Sequence, residues 1–199
     1  MYVRQVLYTT RVFMKTTITK TNFQGLLRIE IDYFQDTRGF FIEPWNKRDF
    51  HLAGFDETFV QEGHSRSKKG VLRGLHFQDM SAPMGKLVRC TLGSVFEVAV
   101  DLRVSSQTFG KWFSTTLSAK NKTQLYVPVG FALGFLTLSS AAEMQYKQTG
   151  YYTPSSEGTL LWNDPHIGIQ WPISDDPILS SRDKSGMTLQ TYLHHPAFR

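Results

Sequence analysis

The residues best equipped for chemistry crowd into one stretch, QEGHSRSKKGVLRGLHFQ, residues 61–78. His76 stands there between Leu75 and Phe77, and Gly70 and Gly74 bracket Arg73. An imidazole titrates near neutral pH and can take a proton as a general base. A histidine between apolar neighbours is also, and more simply, a hydrogen-bonded core residue. Three other side chains carry the same double reading. Lys86, in MGKLVR, is either a strand-end lysine or a cation beside an oxygen that becomes negative during a reaction. Tyr146, in EMQYKQT, is either a packed tyrosine or a buried proton donor. Asp183, in LSSRDKSG, reads by itself as an exposed turn residue.

The elements that must position these residues are strands. Aromatic residues make up 14% of the chain, and Val, Thr, Phe and Tyr recur in short runs separated by Gly, Pro, Asn and Ser, which is a β-rich signature. From Val95 to Arg103 the even positions Phe96, Val98, Val100 and Leu102 are apolar, while Glu97, Asp101 and Arg103 alternate with them and Ala99 is the exception. Such period-two alternation predicts a strand with one face toward a core. Similar runs occur at 85–92, 111–118, 124–127, 131–138 and 142–148, with turn signals such as Gly93-Ser94 and Lys120-Asn121 between them. The spacing predicts an antiparallel sandwich or barrel. Tyr146 shares strand parity with Ala142 and Met144 and is expected to point inward. Gly74, His76 and Gln78 share one strand face, with Arg73 on the other unless Gly74 permits a bulge. Residues 46–53 predict a short helix stopped by Gly54, and the proline-bearing tail beyond Trp171 predicts a surface wrap with a turn or two of helix.

A chain of 199 residues suits one domain with a core large enough to need no disulfide or metal staple. The single cysteine, Cys90, cannot form an internal bridge, which favours a reducing compartment, and strand-like neighbours mark it as an inert strand residue. The first residues lack the apolar stretch of a secretory signal, and no run is long enough to span a membrane, so a cytoplasmic location is expected. Met14 begins a cleaner segment, and residues 1–13 are expected to be a disordered extension to a single domain over 14–199. The net charge of +5 admits an anionic partner, but the basic residues are scattered, which argues against nucleic acid and suits a small phosphorylated ligand. The histidines are His51, His64, His76, His166, His194 and His195, with no closely spaced pair inside a strand. No metal site is expected from them.

Taken together, the motifs DTRGFF (36–41), FVQ followed by HSRS (59–67), GVLRGLHFQ (70–78), GKLVRC, VAVDLR, SQTFGKW, LSAKNK, VPVGFALGF, YYTPSSEG and LWNDP resemble the dTDP-4-dehydrorhamnose 3,5-epimerase family over about residues 16–184. The resemblance implies an all-β, cupin-type jelly-roll sandwich with short peripheral helices. It also implies a homodimer that exchanges N-terminal strands, with neither metal nor redox cofactor. By position, His76 matches the catalytic base, Asp183 the carboxylate that orients it, Tyr146 the acid on the opposite face of the sugar ring, and Lys86 the residue facing the keto oxygen. Arg38 and Arg73 match diphosphate or sugar contacts, and Gln61 a nucleotide-side contact. Phe34, Glu43, Tyr152, Glu157 and Arg182 fall among the substrate-binding positions. The implied function is inversion at C3 and C5 of dTDP-4-keto-6-deoxyglucose in deoxysugar biosynthesis of the dTDP-L-rhamnose type. The alternatives are a single-site epimerase, a ketoisomerase, or a non-catalytic sugar-nucleotide binder.

Three positions depart from the family pattern. FALGF replaces FAHGF, so Leu133 stands where a histidine is usual; Glu97 replaces the aspartate that pairs with that histidine; and Gly63 replaces an asparagine. The dyad and the tyrosine survive, so an active enzyme is expected. The altered residues bear on which carbons are inverted.

Overall fold

The computed structural model describes residues 14–199. The expected extension over 1–13 therefore lies outside the described residues. In chain order the strands are β1 (Thr16–Lys20), β2 (Leu27–Ile31), β3 (Phe34–Asp36), β4 (Gly39–Phe41), β5 (Gln61–Lys68), β6 (Leu72–Gln78), β7 (Lys86–Leu92), β8 (Ser94–Asp101), β9 (Trp112–Ser118), β10 (Gln124–Val127), β11 (Phe131–Thr137), β12 (Ala141–Gln148) and β13 (Glu157–Thr159). A six-stranded sheet runs β1-β2-β10-β7-β12-β5, and a five-stranded sheet runs β13-β6-β11-β8-β9. The pairings within both are antiparallel. Helices are short: α1 (Lys47–Leu52), α2 (Ser181–Lys184) and α3 (Leu189–His194). The architecture is the all-β sandwich that the sequence predicts. Asn46 caps α1 by accepting from the Asp49 amide, and Gly54, at φ +86°, follows its end, as the helix signals require.

The sheets face each other across a core of Val88, Cys90, Val95, Ala99, Leu117, Leu125, Leu133, Phe135, Ala142 and Met144. Alternation then sorts each strand. On β12, Ala142, Met144 and Tyr146 point into this space together, as parity predicts. On β7, Val88 and Cys90 point inward, whereas Leu87 packs on the outer face with Ile29, Phe50, Phe55 and Tyr126.

Strand β8 departs from its predicted one-sided burial. Val98 and Val100 are fully buried, and so are Glu97 and Asp101 on the opposite face. The apolar face that the sequence advertises is the outer one. Val98, Val100 and Leu102 pack there against Leu160, Ile167, Leu189, Tyr192 and Phe198 of the C-terminal segment. That tail is a second core layer rather than a surface wrap. The physical reason is coverage: the tail buries a continuous apolar face, each such side chain contributing about 1.5–3 kcal/mol. The inner face of β8 can then carry Glu97 into the space between the sheets.

Candidate active site

One end of the inter-sheet space opens into a cavity of about 320 Å³. The five-stranded sheet contributes Arg73, His76, Glu97 and Leu133, and the six-stranded sheet contributes Ser65, Lys86, Tyr146 and Gln148. Tyr152, Glu157, Ser180, Arg182 and Asp183 add a polar part of the lining, and Phe77, Met84 and Phe135 an apolar one. Eight of the sequence-predicted site residues therefore share one cavity: His76, Lys86, Tyr146, Asp183, Arg73, Tyr152, Glu157 and Arg182.

Arg73 and His76 reach the same cavity because β6 is irregular. Its register against β11 shifts between the pairs Leu133–His76 and Phe135–Arg73. Gly74 sits at the shift with φ +124°, and a Cβ there would lie 2.5 Å from the Gly134 Cα. Only glycine fits this close approach of two backbones.

His76 Nε2 and Asp183 Oδ1 are 2.6 Å apart, joining residues 107 positions apart in sequence. The tail makes this contact by running beside β6: the Leu72 amide donates to the Ile178 carbonyl at 3.1 Å, and the Ile178 amide donates to that of Gly70 at 2.8 Å. Ser180 then caps α2. Its Oγ accepts from the Asp183 amide at 3.1 Å and donates to Asp183 Oδ2 at 2.7 Å. Asp183 is thus a buried, doubly anchored carboxylate, not the exposed turn residue that its local sequence suggests. Burial would raise its pKa, but the hydrogen bonds from His76 and Ser180, with the charges of His76 and Arg182, outweigh it and hold the carboxyl below the usual range. The ionised carboxylate accepts the Nε2 proton of His76, which leaves the ring lone pair on Nδ1.

Around the dyad lies a polar rim. Arg182 pairs with Glu157 and approaches the His76 ring, its Nη2 3.1 Å from Nε2. The Tyr152 hydroxyl donates to Glu157 Oε2 at 2.9 Å, and the Tyr152 amide donates to Gln61 Oε1 at 3.0 Å. Gln61 thus supports the rim from behind without lining the cavity. On the far wall the Tyr146 hydroxyl and Ser65 Oγ are 2.9 Å apart. Burial raises the tyrosine pKa, partly opposed by the Ser65 hydrogen bond, so the phenol keeps its proton. Burial lowers Lys86, while the carboxyls of Glu157 and Glu97 favour its charged form.

Besides Gln61, three predicted residues are not in this cavity. Arg38 and Phe34 lie on the β3–β4 hairpin, where Arg38 pairs with Asp36 at 2.5 Å and Phe34 is exposed. Glu43 is exposed, and its amide lies 3.3 Å from the Met14 sulfur. Sequence reasoning missed Ser65, Ser180 and Gln148 as lining residues. A capping serine three residues before Asp183 was a usable signal for Ser180; for Gln148 the signal was its parity with Tyr146. Cys90 is buried, with its thiol pushed up to about 11 by burial. Among the described residues, no three histidine, cysteine or carboxylate side chains converge to hold a metal. No described helix is long and apolar enough to cross a membrane.

A histidine bonded to a buried carboxylate, across a cavity from a protonated tyrosine and beside a half-buried lysine, is an arrangement able to move protons on and off carbon. Comparison with known proteins agrees with that chemistry. The model of the dTDP-4-dehydrorhamnose 3,5-epimerase family matches residues 20–191, and the chain belongs to that family. It is 54% identical over 177 residues to the dTDP-4-dehydrorhamnose 3,5-epimerase of Salmonella typhimurium, covering 88% of this chain and 97% of the relative. The fold matches the crystal structure of the dTDP-6-deoxy-D-glucose-3,5-epimerase of Legionella pneumophila in complex with dTDP-4-keto-L-rhamnose, with a TM-score of 0.87, 43% identity, and coverage of 92% of this chain and 98% of that one. It also matches a 3'-monoepimerase of Streptomyces bikiniensis in complex with dTDP-quinovose, at TM-score 0.83 and 31% identity, covering 87% of this chain and 88% of that one.

Proposed function

We propose that the protein inverts C3 and C5 of dTDP-4-keto-6-deoxyglucose. The observation that carries this reading is the His76–Asp183 dyad at 2.6 Å, in a cavity whose opposite sheet supplies Tyr146 and Lys86. A hydrogen on carbon next to a ketone is acidic because its electron pair can pass to the carbonyl oxygen. His76 Nδ1 takes that proton, the pair becomes the enolate, and Asp183 stabilises the imidazolium that forms. Lys86, whose charged form the neighbouring Glu157 carboxylate favours against burial, faces the developing oxyanion. Tyr146 then returns a proton to carbon from the other face, which inverts the centre, and the hydroxyl is reprotonated from solvent. Arg73 and Arg182 suit the diphosphate, which lies away from the reacting carbons and holds the ring in register. No redox step occurs, because the ketone itself supplies the acidity.

The working unit in this proposal is a homodimer in the cytoplasm. The β3–β4 hairpin carries Phe34, Phe40 and Phe41 at 47%, 58% and 62% exposure, with Arg38 at its turn. Such an apolar hairpin is suited to a second copy's cavity mouth, to which it would bring Arg38, Phe34 and Glu43. The buried single thiol and the nucleotide-linked substrate support the location.

Incubation with dTDP-4-keto-6-deoxyglucose in deuterated water, followed by NMR, tests the chemistry. Deuterium at both C3 and C5 is expected. Label at one carbon alone supports single-site action, for which Leu133 and the fold match to a 3'-monoepimerase speak, and overturns the double reading. For the dimer, mixing inactive His76→Ala and Arg38→Ala chains is expected to restore activity, since one of the two shared sites is then intact. Failure to recover activity on mixing, with both variants folded, would count against a shared site.

A further inference from the structure

Buried polar atoms in folded proteins are almost always hydrogen-bonded. Among the described residues, five buried side-chain oxygens have no partner, and three of them belong to residues that line this cavity: Glu97 Oε1, Glu97 Oε2 and Gln148 Oε1. Tyr146 is engaged with Ser65, Arg73 is engaged with Ser67 at 3.0 Å, and Lys86 makes no hydrogen bond to these oxygens. Leu133 offers only hydrocarbon. The protein therefore presents unfilled hydrogen-bonding capacity at one place, from both sheets at once.

That place is next to Lys86. Gln148 pairs directly with Lys86 across the β12–β7 ladder, which brings their side chains alongside each other. Glu97 reaches in from the opposite sheet, fully buried, and its carboxyl and the Lys86 charge influence one another. If Lys86 faces the ketone oxygen at C4, the ring substituents beside it are the C3 hydroxyl and the methyl on C5. Only the hydroxyl can use the unpartnered oxygens. Burial pushes the Glu97 carboxyl up to about 8, against the pull of Lys86. At neutral pH it carries a proton and offers both an O–H and a carbonyl oxygen. A hydroxyl likewise donates and accepts, and Gln148 Oε1 adds an acceptor.

Building on the epimerase reading above, we propose that Glu97 and Gln148 form a receptor for the hydroxyl adjacent to the ketone, selecting 3-hydroxy-4-keto sugars over 3-deoxy ones. Leaving these oxygens unmatched by a 3-deoxy sugar keeps them buried and unpaired, which is the physical basis of strong discrimination.

The test measures kcat and KM by deuterium exchange at C5, a position common to dTDP-4-keto-6-deoxyglucose and its 3-deoxy analogue. The wild type is expected to favour the 3-hydroxy substrate by roughly 10⁴-fold in kcat/KM. Glu97→Leu and Gln148→Leu are each expected to shrink that ratio at least about tenfold, the loss falling more heavily on the 3-hydroxy substrate. If Glu97→Leu fails to fold, Glu97→Met and Gln148→Leu, checked by circular dichroism, carry the test. A wild type that exchanges both substrates equally, or folded variants with an unchanged ratio, would overturn the receptor. A wild type that exchanges neither substrate would overturn the epimerase reading itself.

Discussion

Asp183 and Glu97 line the same cavity, and both are almost wholly buried, yet they sit in opposite electrostatic states. Asp183 receives hydrogen bonds from His76 and Ser180 on its two oxygens, and its pKa lies below the usual carboxylate range. Glu97 receives none, and burial lifts it to about 8. Both are shielded from solvent, Glu97 more deeply, and hydrogen-bond donors offset desolvation at Asp183 but not at Glu97. A carboxylate that must steady an imidazolium is given donors, whereas one left without them becomes a neutral group that waits for a ligand.

The largest effect on turnover is expected at the residue that Asp183 serves. His76→Ala removes the base and should lower kcat by about 10²–10⁴-fold, measured as C3 and C5 exchange, with the fold retained by circular dichroism. Asp183→Asn comes next, because a neutral amide lacks the charge that stabilises the imidazolium of His76. A loss of about 10²-fold in kcat with little change in KM is expected, and a loss confined to KM would contradict the orienting role. Ser180→Ala tests how much of Asp183's state comes from its cap. It should cost about 1 kcal/mol of stability in urea unfolding and less than about tenfold in kcat.

The smallest effect on turnover, and the sharpest contrast, is a pH slope. Between its ordinary 4.5 and about 8, Glu97 keeps a proton in the folded protein that the unfolded chain releases. Its contribution to stability is complete below 4.5 and is lost as pH rises toward about 8. Asp183 has the opposite sign, since its lowered pKa supplies stability above the ordinary 3.8 that is lost as pH falls. Glu97→Gln should therefore flatten the decline in melting temperature between pH 4.5 and about 8 and leave the limb below 3.8, set by Asp183, intact. Parallel curves for the two proteins would show that the carboxyls do not differ as described.

The sequence made some of this legible and hid the rest. Strand positions and the inward direction of Tyr146 followed from alternation, because a pleated strand turns successive side chains to opposite faces whatever surrounds it. The helix over 47–52 followed from its Asn46 cap and Gly54 stop. For β8 the alternation and the buried apolar face were correct, but the burial of the opposite face was not legible. Period-two patterning says that two faces differ, and the tail that covers the outer one is more than 60 residues away along the chain. The motifs that resemble the family pointed to eight residues that do meet in one cavity. They could not show that Arg38, Phe34 and Glu43 lie outside it in a single chain.

What the sequence determined by itself was therefore the repertoire: a β-sandwich chain with an imidazole, a carboxylate, a lysine and a tyrosine of the right types, and Leu133 where the family's histidine is usual. Those properties are local or carried by motif. Only the tertiary structure decided that Asp183 is buried against His76 rather than exposed in a turn, and that Glu97 has no partner at all. Hydrogen bonding and desolvation depend on which distant segments close over a side chain, and the tail that returns along β6 and the two sheets that enclose Glu97 supply that closure.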